Sequence, residues 1–170
     1  MATQAKTLLL LRHAKSDYPD GVVDHDRPLA PRGVREGALA GDWIRANAPK
    51  VDAVLCSTAT RTRETLARTG IDAPVEYVER LYDATPGTVI GEINAVRSHF
   101  GTEPATVLVI GHEPAMSAVA LGLSDGTNTT AAESISLKFP TSAIAVLRPS
   151  GPWEDLTLGG AELVTFHVPR

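Results

Sequence analysis

Cysteine pairs, metal-ligand motifs and long hydrophobic runs are missing from this sequence. The single cysteine, Cys56, has no partner in the chain for a disulfide or for a cysteine-based zinc motif. The apolar run near the N-terminus covers only residues 8–11, which is too short for the core of a signal peptide or for a membrane-spanning helix. These absences predict a cytoplasmic protein with no membrane partner.

An excess of positive charge is also missing. Sixteen Lys and Arg residues against twenty Asp and Glu residues give a net charge of -4. We therefore expect no nucleic-acid partner, because nucleic-acid binding depends on neutralising phosphates. Twelve of the basic residues are nevertheless arginines. Because the planar guanidinium matches the oxygens of a carboxylate or phosphate, a local anion site remains compatible with this composition.

Length and hydropathy pattern predict one α/β domain over residues 1–170. The strand candidates are residues 7–11, 51–56, 75–78, 106–111, 134–139, 143–148 and 161–168. The helix candidates are residues 33–47, 60–69, 88–99 and 114–122, and Gly70 is expected to end the second of them. The segments at 14–32 and 123–133 are long polar loops, a common place for binding residues.

The order of these elements predicts a three-layer αβα sandwich. Strands alternate with helices over the first 120 residues, which favours a mostly parallel central sheet with helices on both faces. The run Leu8–Leu11 fits a strand that is buried on both faces. The later strands follow one another closely, which predicts an antiparallel edge or hairpin that continues the sheet.

Polar side chains follow three of the predicted strands at the point where each strand ends. Arg12 and His13 follow the first strand, Ser57 and Arg61 follow the second, and His112 follows the strand at 106–111. Ligands of open α/β sheets bind beyond the carboxyl ends of the strands. We therefore expect these side chains to converge on one pocket.

Other polar residues have simpler expected roles. Ser57 either contacts the ligand or caps the following helix, since serine after a strand is a common N-cap. We expect Thr65 to be structural and Lys15 to be solvated, although Lys15 would extend a positive rim. Surface or hydrogen-bonded structural positions are expected for the remaining histidines, His25, His99 and His167.

Two imidazoles beside several guanidiniums favour phosphoryl transfer, which depends mainly on positioning and charge stabilisation. Neutral imidazole is a competent nucleophile at cellular pH because its ordinary pKa is about 6.5. If His13 attacks phosphorus with one ring nitrogen, the other should donate to a carbonyl that fixes the tautomer. A second imidazole, protonated, would add positive charge to the transition state. Zinc-ligand spacing is missing, so we expect no metal and no cofactor.

Four blocks of the chain carry a recognisable combination of motifs: Arg12-His13-Ala14, Asp26-Arg27-Pro28-Leu29 with Gly33, Ser57 with Arg61 and Thr65, and Gly111-His112-Glu113-Pro114. Taken together, they resemble the histidine phosphatase superfamily in order and approximate spacing. The small size, the Thr141-Ser142-Ala143-Ile144 stretch and the absence of a long inserted cap domain make the SixA-type phosphohistidine phosphatases the closest resemblance. The similarity runs from about residue 7 to about residue 148.

The resemblance implies a phosphoglycerate-mutase-like αβα fold and the removal of phosphate from phosphohistidine without a metal. It implies that His13 is the nucleophile and becomes transiently phosphorylated. It also implies that Arg12 and Arg61 bind the phosphoryl oxygens. His112 would be the second histidine of the pocket, and Arg27 would lie at the rim.

The general acid is left open by the sequence. The candidates are Glu79 and Asp83, in the segment before the third helix, and Glu113, directly after the second histidine of the pocket. An alkoxide leaving group needs such an acid, whereas a protonated imidazole leaves readily without one. We therefore predict hydrolysis of phosphohistidine on a protein. The alternatives are a phosphomonoesterase of small metabolites and a non-catalytic module that binds phosphate or phosphohistidine.

Overall fold

The computed structural model describes residues 5–170, which form one six-stranded sheet flanked by helices. The strands are β1 (Thr7–Arg12), β2 (Ala53–Ser57), β3 (Val75–Val78), β4 (Thr106–Gly111), β5 (Ile144–Pro149) and β6 (Ala161–His167). The helices are α1 (Pro31–Asn47), α2 (Thr60–Thr69), α3 (Pro86–Asn94), α4 (Val96–Phe100), α5 (Ala115–Leu123) and α6 (Thr129–Leu137). The predicted α/β class is confirmed.

The strands lie in the order β3-β2-β4-β1-β5-β6. Pairs within the first four of that order are parallel, whereas β5 pairs antiparallel with both β1 and β6. This confirms the mostly parallel centre and its antiparallel continuation. Because β4 lies between β1 and β2, the carboxyl ends of all three strands meet at one edge, where Arg12 is level with Gly111.

Helices cover both faces of the sheet, so the four leucines of β1 are completely buried. Leu8 and Leu10 pack in the core that includes α3, α5 and α6, whereas Leu9 and Leu11 pack on the side of α1 and α2. Full burial of a leucine side chain contributes about 2 kcal/mol, so this strand is strongly fixed in place. Its end is therefore a rigid support for the residues that follow.

The strand predicted at 134–139 is wrong, because most of this segment belongs to α6. The side chain of Asn128 begins the helix by accepting a hydrogen bond from the Ala131 backbone N–H at 3.0 Å. Ala131 and Ile135, four residues apart, are buried on the same helical face. The short apolar pattern SISLKF is compatible with either a strand or a helix. The burial of these two residues on one helical face favours the helix. The loop predicted at 123–133 is shorter as a result.

The remaining helices follow the prediction with one interruption. The segment predicted as one helix at 88–99 forms α3 and α4, which meet at Ala95. The helix predicted at 60–69 is confirmed as α2, and Gly70 ends it in the left-handed conformation at φ 68°. Within residues 5–170, no helix is long and apolar enough to cross a membrane.

Candidate active site

The two predicted pocket histidines lie side by side at the carboxyl edge of the sheet. The ring centroids of His13 and His112 are 5.3 Å apart, and the two residues are 7% and 8% exposed. The His13 backbone N–H donates to the Gly111 carbonyl at 3.0 Å, which continues the pairing of β1 with β4 past the end of β1. The sheet itself therefore brings the imidazoles together.

A backbone carbonyl fixes the tautomer of His13, as the sequence predicts for a nucleophile. Nδ1 lies 2.7 Å from the Ala14 oxygen, and because a carbonyl only accepts, Nδ1 carries the proton. The Ala14 peptide is fixed in turn, since its N–H donates to Thr65 Oγ1 at 2.9 Å. Nε2 of His13 is thus the nitrogen with a free lone pair, and Thr65 has a structural role.

The backbone around His13 is held from two further directions. Gly33 of α1 packs against the loop after β1, where an added Cβ would lie 2.0 Å from the Lys15 carbonyl oxygen. On another side, the Ser142 N–H lies 3.1 Å from the carbonyl oxygens of both Arg12 and His13. Ser142 makes these contacts from the left-handed region, at φ 67°. The position of His13 therefore depends on α1 and on the segment before β5.

Ser57 fixes the tautomer of His112. Its Oγ lies 2.8 Å from His112 Nε2 and accepts a hydrogen bond from the Ala59 N–H at 3.3 Å. Within residues 5–170 the Ser57 hydroxyl proton has no other acceptor, so it is donated to Nε2 and leaves the imidazole proton on Nδ1. That Nδ1 is buried and has no partner in the described chain. Since the N-cap residue of α2 is Ala59, the alternative of Ser57 as helix cap is wrong.

The guanidiniums of Arg12 and Arg61 are each held by hydrogen bonds from their Nη atoms. Arg12 Nη1 donates to the Phe139 carbonyl at 2.9 Å. Arg61 Nη1 donates to the Asp24 carbonyl at 2.8 Å, and its Nη2 donates to the Asp24 carboxylate at 3.2 Å. The Nε atoms of Arg12 and Arg61 are buried and have no hydrogen-bond partner in the part of the chain that the structure describes. A buried donor without a partner is costly, so these atoms fit an anion site.

The electrostatics of the pocket keep both imidazoles neutral. Burial, reinforced by His112 and the two arginines, lowers the pKa of His13 to about 3. Burial and the nearby charge of Arg61 lower the pKa of His112 to about 4. In the free site His112 therefore presents a neutral N–H, because burial and neighbouring cations disfavour a further positive charge. The expectation of a protonated second imidazole concerns the transition state and stays a prediction.

Asp24 and Tyr82 are pocket residues that the sequence reasoning missed. Asp24 accepts hydrogen bonds from Arg61 and, at 3.0 Å, from Arg27 Nε, and it also accepts one from the Tyr82 hydroxyl. The Tyr82 ring packs edge-on against His112 at 5.5 Å. Asp24 begins a short 3₁₀ helix at Asp24–Asp26, and Tyr82 directly follows another at Glu79–Leu81. Asp24 is one of several aspartates between β1 and α1, and only its place two residues before the Asp26-Arg27-Pro28-Leu29 block distinguishes it in the sequence.

The acid candidates are distributed over two depressions. Glu113 lines a pocket of about 110 Å³ together with Arg61 and His112. Its carboxylate accepts hydrogen bonds from the Ser117 N–H at 2.6 Å and the Ser117 hydroxyl at 2.7 Å. Asp83 lines both this pocket and a neighbouring groove beside β3, whereas Glu79 lines the groove and not the pocket.

The rim is formed by Arg27 and its neighbours. Arg27 Nη1 donates to Ser16 Oγ at 2.8 Å, and the guanidinium carbon lies 4.0 Å from the centre of the Tyr18 ring. The Lys15 ammonium lies 5.9 Å from the same ring centre. His25 also lies at the rim, edge-on to Tyr82 at 4.8 Å. Within residues 5–170, no three His, Cys, Asp or Glu side chains form a group that could hold a metal ion.

Comparison with known proteins relates the chain to a phosphatase family. The family model described as histidine phosphatase superfamily (branch 1) matches residues 8–106. Protein Rv1276c of Mycobacterium tuberculosis is 65% identical over 162 residues, which cover 94% of this chain and 100% of that protein. Phosphohistidine phosphatase SixA of Escherichia coli is 29% identical, with 81% of this chain and 82% of that protein covered.

A solved structure agrees with the fold over almost the whole chain. The protein from Nakamurella multipartitia that is provisionally named phosphohistidine phosphatase SixA is 40% identical and superimposes with a TM-score of 0.88. The comparison covers 98% of each chain. The predicted phosphoglycerate-mutase-like αβα architecture is therefore confirmed.

Proposed function

The chain belongs to the histidine phosphatase superfamily and is a phosphatase, and we propose that it acts through a phosphorylated His13 on phosphohistidine in proteins. The relatives named SixA support this substrate class, since they are named as phosphohistidine phosphatases. We also propose that it needs no metal or cofactor. The cytoplasmic location stays a prediction.

The observation that carries the proposal is the state of His13. The hydrogen bond from its Nδ1 to the Ala14 oxygen leaves Nε2 as the nitrogen with a lone pair, and burial keeps the ring neutral. A neutral imidazole with one fixed and one free nitrogen is prepared for nucleophilic attack. The buried Nε–H groups of Arg12 and Arg61, two arginines close enough to lower the pKa of His13, supply donors for the phosphoryl oxygens.

The reaction follows from these positions in two steps. His13 Nε2 attacks phosphorus, the phosphorus–nitrogen bond of the substrate breaks, and its electron pair goes to the departing imidazole. Arg12, Arg61 and the Nδ1–H of His112 donate hydrogen bonds to the phosphoryl oxygens, and this stabilises the negative charge of the transition state. Water then attacks the phosphorylated His13, which releases phosphate and restores the free imidazole.

A direct test follows the phosphate with a phosphohistidine peptide and a phosphoserine peptide of the same sequence. Rapid quenching should detect acid-labile phosphate on His13, and the phosphohistidine peptide should be hydrolysed much faster. His13→Ala should lose both label and turnover. His167→Ala is a matched control, because His167 lies in β6, the outermost strand on that side of the sheet, where it stacks on Trp43. Normal turnover by His13→Ala would contradict the mechanism, and strong inhibition by a chelator would contradict the absence of a metal.

One observation favours a second candidate, hydrolysis of small phosphate esters. Glu113 lines the pocket that contains Arg61 and His112, and a carboxylic acid there would protonate an alkoxide leaving group. Both of its oxygens already accept hydrogen bonds from Ser117, which instead suits a residue that supports the start of α5. A large loss of ester hydrolysis in Glu113→Gln, together with poor turnover of phosphohistidine, would favour this candidate. A failure to label His13 at all would favour a module that only binds phosphate.

A further inference from the structure

Asp24 places a carboxylate directly beside an arginine that we assign to phosphate binding. It lines the pocket of about 110 Å³ together with Arg61, Tyr82 and His112, and 55% of its side chain is exposed. A negative charge at this position repels a phosphate dianion, so it works against the binding of phosphate alone. The position of Asp24 therefore calls for a chemical role beyond phosphate binding.

The hydrogen bonds of Asp24 leave part of its carboxylate free. Oδ2 accepts from the Tyr82 hydroxyl and from Arg61 Nη2, and Oδ1 accepts from Arg27 Nε at 3.0 Å. A carboxylate has about four acceptor positions, so one position on Oδ1 remains available. Because more than half of the side chain is exposed, a group that enters through the pocket mouth can reach it.

The same contacts keep the carboxylate ionised. The hydrogen bond from Tyr82, followed by those from Arg27 and Arg61, lowers the pKa of Asp24 to about 2. At neutral pH Asp24 therefore accepts hydrogen bonds and has no proton to give. It is unsuited to be the general acid for an alkoxide, but it suits a cationic group that already carries its own proton.

We propose that Asp24 selects phosphohistidine over phosphate esters by accepting a hydrogen bond from the unphosphorylated ring nitrogen of the substrate. This inference rests on the proposed function. A protonated phosphohistidine ring carries positive charge and an N–H at that nitrogen. When His13 Nε2 bonds to phosphorus, the phosphorus–nitrogen bond breaks and its electron pair stays on the ring. The product is a neutral imidazole that keeps its proton on the nitrogen facing Asp24, so no acid has to act.

Phosphate esters gain nothing from this arrangement. An ester leaving group has no positive charge and no N–H to donate to Asp24, whereas the repulsion between carboxylate and phosphate remains. Removing the charge should therefore affect the two substrate classes in different ways. A residue that only orients Arg61 would affect both classes alike, because both present the same phosphoryl group to Arg61.

The test measures kcat/KM of Asp24→Asn on phosphoimidazole and on p-nitrophenyl phosphate. We expect a loss of roughly 10- to 100-fold on phosphoimidazole, the usual range for a charge-assisted hydrogen bond, and little loss or a gain on the ester. Asp26→Asn is the matched control, because its carboxylate is 67% exposed and lies 3.6 Å from His25. It should leave the ratio of the two kcat/KM values unchanged.

Each result decides one question. An equal loss on both substrates in Asp24→Asn would overturn the proposal, because Asp24 would then act only through Arg61. If Asp24→Asn fails to fold, Asp24→Glu keeps the charge but moves the carboxylate, and an unchanged ratio there would also overturn it. Failure of the proposed function shows in the wild-type protein, as faster ester hydrolysis or an unlabelled His13. The two failures are therefore distinguishable.

Discussion

The two neutral pocket histidines should make the protein lose stability as the pH falls from 7 to 5. In the unfolded chain both imidazoles take up protons near pH 6.5, whereas in the folded state the pKa of His13 is lowered to about 3 and that of His112 to about 4. Between pH 6.5 and these lowered pKa values, the unfolded state therefore binds more protons than the folded state. The free energy of unfolding therefore decreases as the pH falls through this range.

The magnitude follows from the two lowered pKa values. Each histidine contributes about 1.4 kcal/mol per pH unit below its unfolded pKa, and pH 5 lies 1.5 units below the value of 6.5. Each therefore costs about 2 kcal/mol at pH 5, and together they cost about 4 kcal/mol. This is a large fraction of the stability of a typical domain, which is about 5–15 kcal/mol.

Urea denaturation at pH 7 and pH 5, in buffers without phosphate, measures this loss. Phosphate must be left out because a ligand of the folded state stabilises it. The double variant His13→Gln with His112→Gln should lose about 4 kcal/mol less than the wild type between the two pH values. The same loss in the double variant would refute the assignment of two buried neutral imidazoles.

Three further predictions test how the pocket is held. Ser57→Ala should lower kcat roughly tenfold because the tautomer of His112 is no longer fixed, and Ser57→Thr should restore much of it. Gly33→Ala should lower the free energy of unfolding by about 1–3 kcal/mol in urea denaturation, since the added Cβ would collide with the Lys15 carbonyl. Gly91→Ala is the control, because a Cβ there would have no atom within 4 Å. Arg61→Lys should lower kcat/KM by roughly 10- to 100-fold, because a planar fork becomes a point charge. Unchanged values would contradict each assignment.

The central sheet and the pairing of the two histidines were predictable from the sequence. The four leucines of β1 indicate a buried strand, and polar residues after three strands meet at one edge wherever those strands are neighbours. The placement of β1 and β2 on either side of β4 meets that condition. In contrast, the segment 134–139 is short, so its apolar pattern fits either a strand or a helix, and only tertiary packing decides.

The loop residues and protonation states of the site were not predictable in the same way. Asp24 and Tyr82 are 58 residues apart and lie in or directly after short 3₁₀ helices, where no periodic pattern indicates that their side chains meet. The charge of His112 depends on its burial beside Arg61, which arises only when β2, α2 and β4 pack together. The sequence shows which groups are present, but their burial and their partners are properties of the folded chain.

The contacts that hold Arg12 connect distant parts of the chain and bear on when the site forms. The Phe139 carbonyl that anchors its guanidinium lies 127 residues later, and Ser142 holds the backbone of both Arg12 and His13. During synthesis the nucleophile is therefore made early, but two of the contacts that position it are made only after residue 142 has left the ribosome. Contacts of such long sequence separation also form slowly in refolding. We therefore expect phosphatase activity to return after most of the helical signal when the denatured protein refolds.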